Sequence, residues 1–342
     1  MDKMISTKGG IVSIILIVFL LAVNFQSAMA QESSSVDKIS LSLQWHTQCQ
    51  FAGYYAALDK GWYMDEGIDL TIKPGAADRN SIPLVRSGVS DFGTKWLADF
   101  LGAEAKGHSL ISIAQIVQKN GLVLISKKGS NITTPSDFTG KRIGIWFFGN
   151  EAQFYTLMNK QDLPLDKMII KPLKWSIKPF LQDTFDVINV MLYNEYLRVL
   201  DSGYSKDEIN IIDFADYDLN FPGQVLFTKK STLKNRPSLC ERMVRASLKG
   251  WAWAVEHQKE AVDIVLKNDQ AGVLQKERQL KQMAIMAELV NYKNRALGYH
   301  EPEQVEFVMQ NLVKHNVISR YIDPAELYTN FIWEKAGGRK QD

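Results

Sequence analysis

The sequence has 342 residues, of which 46% are hydrophobic and 23% charged, and its formal net charge at pH 7 is +2. This length suffices for two domains of ordinary size, and the balanced charge excludes the strongly basic surface of a nucleic-acid-binding protein. Cys49 and Cys240 lie far apart, so we expect two separate thiols, and the five scattered histidines disfavour a metal site. No zinc-protease, dithiol or serine-hydrolase motif occurs.

Residues 1–30 have the pattern of an export signal. Lys3 and Lys8 form a basic start, residues 11–23 are a nearly pure apolar run, and residues 28–30 read AMA, a cleavage site of the Ala-x-Ala type. The apolar run is shorter than a membrane span, which needs about 20 residues. We therefore predict cleavage after Ala30 and a mature chain that is soluble in the periplasm, with an uncleaved anchor as the alternative.

Residues 39–75 predict a strand, a helix and a second strand. Apolar and polar residues alternate over 39–45 and over 68–72, and the Ala-rich stretch between them ends at Gly61, as helices often do. Such a unit favours a parallel sheet, in which ligands bind beyond the carboxyl ends of the strands. The segment at that position supplies four candidate ligand contacts: Trp45, Gln50, Phe51 and Tyr54.

The next elements bring more candidates to the same edge of the sheet. Residues 81–87 predict a helix, 89–93 the end of a short strand and 110–116 a buried strand. Lys95 and Trp96 follow the strand end and would lie beside the first loop. Trp96 either faces a ligand or opens a helix and packs in the core.

Residues 142–147 predict a strand that runs into a tight turn at Gly149, with Asn150 as the N-cap of a helix over 151–159. The free N–H groups at that helix start favour an anionic or carbonyl-bearing ligand group. Trp146 and Phe148 share one face of the strand end, so one of them is expected to face the ligand. Glu151 either lies near the ligand or only complements the helix dipole.

Residues 186–191 predict a strand that ends in Tyr193, Asn194 and Glu195, before a helix over 197–201. A carboxylate between aromatic groups at a strand–helix junction is a good acceptor for an amino-substituted heterocycle. The alternative is that Glu195 only complements the start of the helix.

The remaining pattern predicts further strands over 169–173, 210–214 and 224–228, and a short helix over 177–182. After the last strand the chain is predicted to be helical and to wrap the outside of the first lobe. The predicted helices span residues 237–255, 260–267, 276–292, 302–315 and 324–333.

Several motifs together resemble a known family of binding proteins. LQW at 43–45, FAGYYA at 51–56, DKGWY at 59–63, EGIDL at 66–70 and IKPG at 72–75 are similar to the opening of the solute-binding proteins related to thiamine-pyrimidine-binding proteins. That broad family includes the sulfonate- and nitrate-binding proteins of ABC importers. The resemblance continues through GKRIGIWFFGNE at 140–151 and YNEY at 193–196, and it covers nearly all of the mature chain.

The resemblance implies an α/β, two-lobed periplasmic-binding-protein fold of type II, with a ligand cleft between the lobes. Two hinge crossovers are expected near 118–125 and 214–224, with lobe 1 at 31–121 and 222–342 and lobe 2 at 122–221. The resemblance also places a ligand-facing turn at Lys95 and Trp96, the first crossover at Gln118, and the glutamate of the pyrimidine binders at Glu195. The implied partners are a small molecule and the permease and ATPase of an ABC importer.

The function expected from this resemblance is delivery of a thiamine-pyrimidine-like heterocycle, by a monomer with no catalytic residue, cofactor or metal. The pyrimidine binders carry DWxPNxNH in the first loop, whereas residues 44–51 read QWHTQCQF, so the exact pyrimidine stays open. One alternative is a pyrimidine-synthase-like enzyme, whose cysteine-rich motif is lacking here. A second is a binding protein for sulfonate or nitrate, in which a carboxylate in the cleft would repel the anionic ligand. A third, a sensory module, would need a signalling partner.

Overall fold

The structure, a computed structural model, describes residues 36–76, 78–147, 151–174 and 176–340. The predicted export signal at 1–30 and three predicted ligand contacts, Phe148, Gly149 and Asn150, lie outside the described residues. Cys49 and Cys240 are both buried as free thiols. Within the described ranges, no helix combines the length and apolar character that crossing a bilayer requires.

The described residues form two five-stranded sheets. The first has the order β2-β1-β3-β10-β4 and the second the order β7-β6-β8-β5-β9. The strands are β1 Asp37–Ser42, β2 Ile68–Lys73, β3 Phe92–Trp96, β4 Leu110–Gln115, β5 Leu122–Lys127, β6 Arg142–Ile145, β7 Ile169–Pro172, β8 Val187–Met191, β9 Ile209–Asp213 and β10 Gln224–Lys229. We call the first sheet with its helices the first lobe, and the second sheet with its helices the second lobe.

Both sheets are mixed rather than purely parallel. β1 pairs in parallel with β3, and β6 with β7 and β8. β10 is antiparallel to β3 and β4, and β5 is antiparallel to β8 and β9. β5 and β10 each follow a crossover, so they leave the region between the lobes while β1, β3, β6 and β8 end there. The parallel strands therefore bring their carboxyl ends to one cleft.

Thirteen α-helices lie in the described residues. Their bounds are α1 Ala52–Asp59, α2 Trp62–Asp65, α3 Ser81–Arg86, α4 Leu97–Glu104, α5 Glu151–Lys160, α6 Lys178–Leu181, α7 Glu195–Asp201, α8 Lys230–Asn235, α9 Pro237–Glu256, α10 Gln258–Lys267, α11 Lys276–Val290, α12 Pro302–Lys314 and α13 Phe331–Lys335. A 3-10 turn, Cys49–Phe51, precedes α1.

Two predicted elements are wrong in extent. The helix predicted over 324–333 is a 3-10 turn at Pro324–Glu326 followed by α13, because the chain between them pairs with the edge strand β4. Ser112 donates its N–H to the carbonyl of Leu327, and Thr329 donates to that of Ser112. The strand end predicted at 89–93 is β3, three residues later, whose pairing with β10 extends to Trp96.

Two crossovers connect the sheets, as predicted, and they lie side by side. Asn120 donates its N–H to the carbonyl of Phe221 at 2.8 Å, and Gly223 donates to Val117 at 2.8 Å. Two hydrogen-bonded connections form a hinge about which the lobes can move as rigid bodies. The lobe boundaries at 121 and 221 stay a prediction.

Candidate ligand-binding site

Aromatic side chains from both lobes meet where the parallel strands end. Trp45 follows β1, Trp96 ends β3, and Trp146 follows β6. Tyr193 follows β8 in the turn before α7. Together with Gln50, Met191, Asn194 and Glu195, these residues line one cavity between the lobes, which we call the aromatic cavity.

The aromatic cavity is narrow in this conformation. Its volume is about 10 Å³. That volume corresponds to about one water molecule. A ring ligand therefore requires the lobes to part, and the hinge provides such a motion.

Glu195 is the carboxylate of this cavity, and only 6% of it is exposed. Its Oε1 accepts a hydrogen bond from Nδ2 of Asn194 at 2.7 Å, and its Oε2 accepts from the N–H of Met191 at 3.2 Å. Burial raises the pKa of Glu195 to about 7, although the backbone N–H groups of Glu195 and Met191 and the charge of Arg198 oppose the shift. Further hydrogen-bond donors or a positive charge on a ligand would therefore strongly stabilise the ionised form of Glu195.

The turn after β6 is held by a buried amide on the neighbouring strand. Asn189, in β8, accepts the N–H of Trp146 on its Oδ1 at 3.0 Å. This bond fixes the backbone from which the Trp146 ring enters the cavity. The Tyr193 phenol is also buried, which raises its pKa, and the Trp96 side chain hydrogen-bonds it across the cleft.

A second, smaller cavity lies on the hinge side of the same residues. Gln50, Trp96 and Tyr193 line both cavities, and Asn120 and Gln224 add amides to the second one. Oε1 of Gln224 is buried and has no hydrogen-bond partner among the described residues, while its Nε2 donates to the hydroxyl of Tyr54 at 3.3 Å. An acceptor of this kind can take a donor from a ligand.

The opposite side of the aromatic cavity opens into a wide vestibule of about 810 Å³. Trp45 and Asn194 line both the vestibule and the aromatic cavity, so the two spaces adjoin. The residues that line the vestibule include Asp269 and three arginines, Arg79, Arg198 and Arg278.

Two predicted contacts, Lys95 and Glu151, line a separate cavity of about 580 Å³ at the side of the cleft. Lys95 forms an ion pair with Asp99 at 3.0 Å, and both side chains are about nine-tenths buried. Burial raises the pKa of Asp99, and Lys95 opposes the shift. Lys95 and Glu151 thus lie between the lobes but outside the lining of the aromatic cavity.

Three further predicted contacts lie elsewhere. Phe51 and Tyr54 are fully buried in the first lobe, where Tyr54 packs edge-to-face against Trp251 at 5.8 Å. Gln118 lies in the hinge, and its Nε2 donates to the carbonyls of Gln115, Ala296 and Tyr299. The structure therefore brings Trp45, Gln50, Trp96, Trp146, Tyr193, Asn194 and Glu195 together in the aromatic cavity.

Sequence reasoning missed Met191, Asn120 and Gln224 as cavity-lining residues. Met191 could have been found, because it ends a predicted strand beside Tyr193. Gln224 begins a strand instead of ending one, and it reaches the cavity because β10 runs antiparallel to β3. Sequence pattern alone carries no signal for that orientation.

The raised pKa of Glu195 predicts how the stability of the ligand-free protein changes with pH. The folded state keeps the Glu195 proton up to about pH 7, while the unfolded state releases it near the ordinary value of 4.5. The folded state thus binds more protons between these values, so its stability falls as pH rises, by roughly 3 kcal/mol in total. Urea titrations from pH 4.5 to 8 measure the free energy of unfolding at each pH. For Glu195→Gln this free energy should fall less steeply with rising pH than it does for the parent. Equal slopes for the two proteins would contradict a raised pKa at Glu195.

The sequence also matches a known protein family. The model of the family described as NMT1/THI5 like matches residues 48–261, more than half of the chain. The chain belongs to the NMT1/THI5-like family. The match includes most of the aromatic cavity, from Gln50 to Glu195, whereas Trp45 precedes it and α11 follows it.

Named proteins similar to this family member include binding proteins and an enzyme. The formylaminopyrimidine-binding protein of Halalkalibacterium halodurans is 21% identical over 329 residues, covering 94% of this chain and 98% of the relative. The 4-amino-5-hydroxymethyl-2-methylpyrimidine phosphate synthase of Legionella pneumophila is 25% identical over 258 residues, covering 68% and 74%.

The fold of this family member is that of periplasmic binding proteins. The periplasmic aliphatic sulphonate-binding protein of Escherichia coli superposes with a TM-score of 0.68 at 13% identity, covering 85% of this chain and 91% of that structure. The predicted two-lobed α/β fold is thereby confirmed.

Proposed function

We propose that this protein is an extracytoplasmic solute-binding protein that delivers a flat, amino-substituted heterocycle of the aminopyrimidine kind to an ABC importer. The observation that carries the proposal is Glu195, a buried carboxylate with tryptophans from both lobes around it. A flat ring can stack on the indoles while its exocyclic amine donates to the carboxylate. The similarity to a formylaminopyrimidine-binding protein supports this ligand class.

A sulfonate or nitrate fits this cavity less well than a ring. Those anions would meet the Glu195 carboxylate, and the three arginines lie in the wide vestibule, outside the aromatic cavity. The large indole surfaces also exceed what a small inorganic anion can cover. The fold shared with a sulphonate-binding protein does not carry that ligand over, because the two chains are 13% identical.

Calorimetry on the purified mature chain tests the proposal. We expect 4-amino-5-hydroxymethyl-2-methylpyrimidine or its formylamino relative to bind with one-to-one stoichiometry, and nitrate and taurine to bind much more weakly. Tight binding of taurine or nitrate with no binding of a heterocycle would overturn the ligand class. The proposal also places the mature chain in the periplasm after cleavage at Ala30, which the mass of the secreted protein tests.

A pyrimidine-synthase-like enzyme is the second candidate, because one relative is named as such a synthase. The two candidates differ in the fate of the bound compound. A binding protein releases its ligand unchanged, so the mass of the compound after hours of incubation should equal the starting mass. A new product that accumulates with time would favour the enzyme.

Replacing Trp45 tests the aromatic wall. Trp45 is partly buried and lines both the aromatic cavity and the vestibule, so Trp45→Ala removes a stacking face with little loss of core packing. An aromatic pair contributes about 0.5–1.5 kcal/mol beyond area burial, so the Kd for the pyrimidine should rise about threefold to tenfold. The matched control is Trp62→Ala on α2, which should bind as the parent does. Equal Kd values for both variants would contradict the assignment of this wall.

A further inference from the structure

One buried side chain of α11 joins the two walls of the aromatic cavity. Gln282 is only 1% exposed. Its Oε1 accepts the N–H of Cys49 at 2.9 Å, and its Nε2 donates to the carbonyl of Tyr193 at 2.9 Å. Cys49 directly precedes Gln50 in the wall of the first lobe, and Tyr193 belongs to the wall of the second.

α11 itself is anchored in the first lobe. It packs on α10, which packs on α1, and Gln279 adds a second bond to the N–H of Cys49 at 2.8 Å. At its other end, the carbonyl of Leu289 accepts the N–H groups of Gln118 and Lys119 in the hinge. The helix therefore keeps its place relative to the first lobe when the lobes move.

The bond from Gln282 to Tyr193 reaches across to the second lobe. An ion pair between Arg278 and Asp201 of α7 crosses at the outer end of the same helix, but it is partly exposed. Exposed ion pairs contribute little, whereas a buried hydrogen bond that breaks leaves polar groups whose pairing must be replaced by water. Breaking the buried Gln282 bond therefore costs more than breaking this ion pair.

Two other buried hydrogen bonds also cross between the lobes, from the Trp96 side chain to Tyr193 and between Thr156 and Asn311 at 3.1 Å. The Gln282 bond differs from these because the same side chain also accepts the N–H of Cys49, beside Gln50 in the opposite wall.

We propose that Gln282 is a positioning residue that holds the two walls of the aromatic cavity together and so sets how long a ligand stays bound. The inference rests on the proposed binding function and adds a residue outside both the cavity lining and the family match. A ligand enclosed between the lobes leaves only after they part, so a weaker closed state raises the dissociation rate. Entry occurs from the open state, so the association rate should hardly change.

The chemistry of the position suits glutamine, because one end of the side chain must accept and the other must donate. Methionine has a similar length without either group, and glutamate keeps the acceptor but loses the donor. Gln282→Met and Gln282→Glu therefore both remove the bond to Tyr193. Gln279→Met is the matched control, because Gln279 bonds to the same Cys49 N–H and its removal weakens a contact within the first lobe.

Stopped-flow tryptophan fluorescence of the full mature chain, with 4-amino-5-hydroxymethyl-2-methylpyrimidine as the probe, tests the proposal. We expect Gln282→Met and Gln282→Glu to raise the dissociation rate about threefold to tenfold, as the loss of one hydrogen bond implies, with association rates within about twofold of the parent. Gln279→Met should keep both rates of the parent. An unchanged dissociation rate in the Gln282 variants, or an equal rise in Gln279→Met, would overturn the proposal.

Small-angle scattering separates this inference from the proposed function. Without ligand, the Gln282 variants should have a larger radius of gyration than Gln279→Met, because their lobes part more readily. If no pyrimidine binds the parent, the proposed ligand fails while this comparison still tests Gln282. Identical radii for the Gln282 and Gln279 variants would overturn the positioning role even where the pyrimidine binds.

Discussion

Glu195→Gln is expected to raise the Kd for an aminopyrimidine about tenfold to a hundredfold. A hydrogen bond to a charged group contributes about 1.5–3 kcal/mol, and the substitution removes that charge. The loss is increased because the N–H of Met191 and Nδ2 of Asn194 already point at the two carboxylate oxygens. A glutamine must turn its own NH₂ toward one of these donors, which leaves a buried polar group unpaired.

Calorimetry at pH 8, where Glu195 is ionised, measures this effect most clearly. Glu288→Gln, on the exposed face of α11, is the control that makes the same change in net charge, and its Kd should equal that of the parent. A glutamine variant at position 195 that binds as tightly as the parent would remove Glu195 from the site. The same loss in both variants would show that the effect arises from net charge alone.

Gly250→Ala is expected to destabilise the protein by about 3 kcal/mol, because two helices touch backbone to backbone at this position. A Cβ on Gly250, in α9, would lie 2.1 Å from the carbonyl oxygen of Gly53 and 2.7 Å from Cβ of Ala57, both in α1. Gly53 meets α9 in the same way, since its Cβ would lie 2.6 Å from Cα of Trp251. The two helices must separate to admit a methyl group, and α1 begins directly after the turn that carries Gln50.

Gly102→Ala is the matched control for this prediction. Gly102 also lies within a helix, α4, but its added Cβ would meet nothing closer than 3.8 Å. Alanine is favoured over glycine in a helix by about 1 kcal/mol, so this variant should be as stable as the parent or more stable. Urea unfolding of both variants gives the comparison. A Gly250→Ala protein of parental stability would show that α1 and α9 can shift apart without cost.

The candidate site could be predicted where local sequence decides it. Trp96, Trp146 and Tyr193 follow or end strands whose alternation is visible in the sequence, and parallel strands bring such ends to one edge. Phe51 and Tyr54 carry the same aromatic signal, but Phe51 lies in a buried turn and Tyr54 in the part of α1, residues 52–57, that is buried. The aromatic character of these two residues could not show whether they face the cavity or the core, because large apolar residues are usually buried in either case.

The sequence by itself determined the order and type of most elements and the candidate carboxylate Glu195, because these follow from alternation, turn residues and motifs within short stretches. The two crossovers were implied by the resemblance of the sequence to a known family. Tertiary structure alone decided that β5 and β10 run antiparallel to their neighbours, that Gln224 reaches the cavity, and that Gln282 bonds to both walls. Gln282 lies 233 residues from Cys49 and 89 from Tyr193. The partners of a side chain at such separations are set by how the hinge and the helices bring distant segments together, and no short stretch of sequence encodes that.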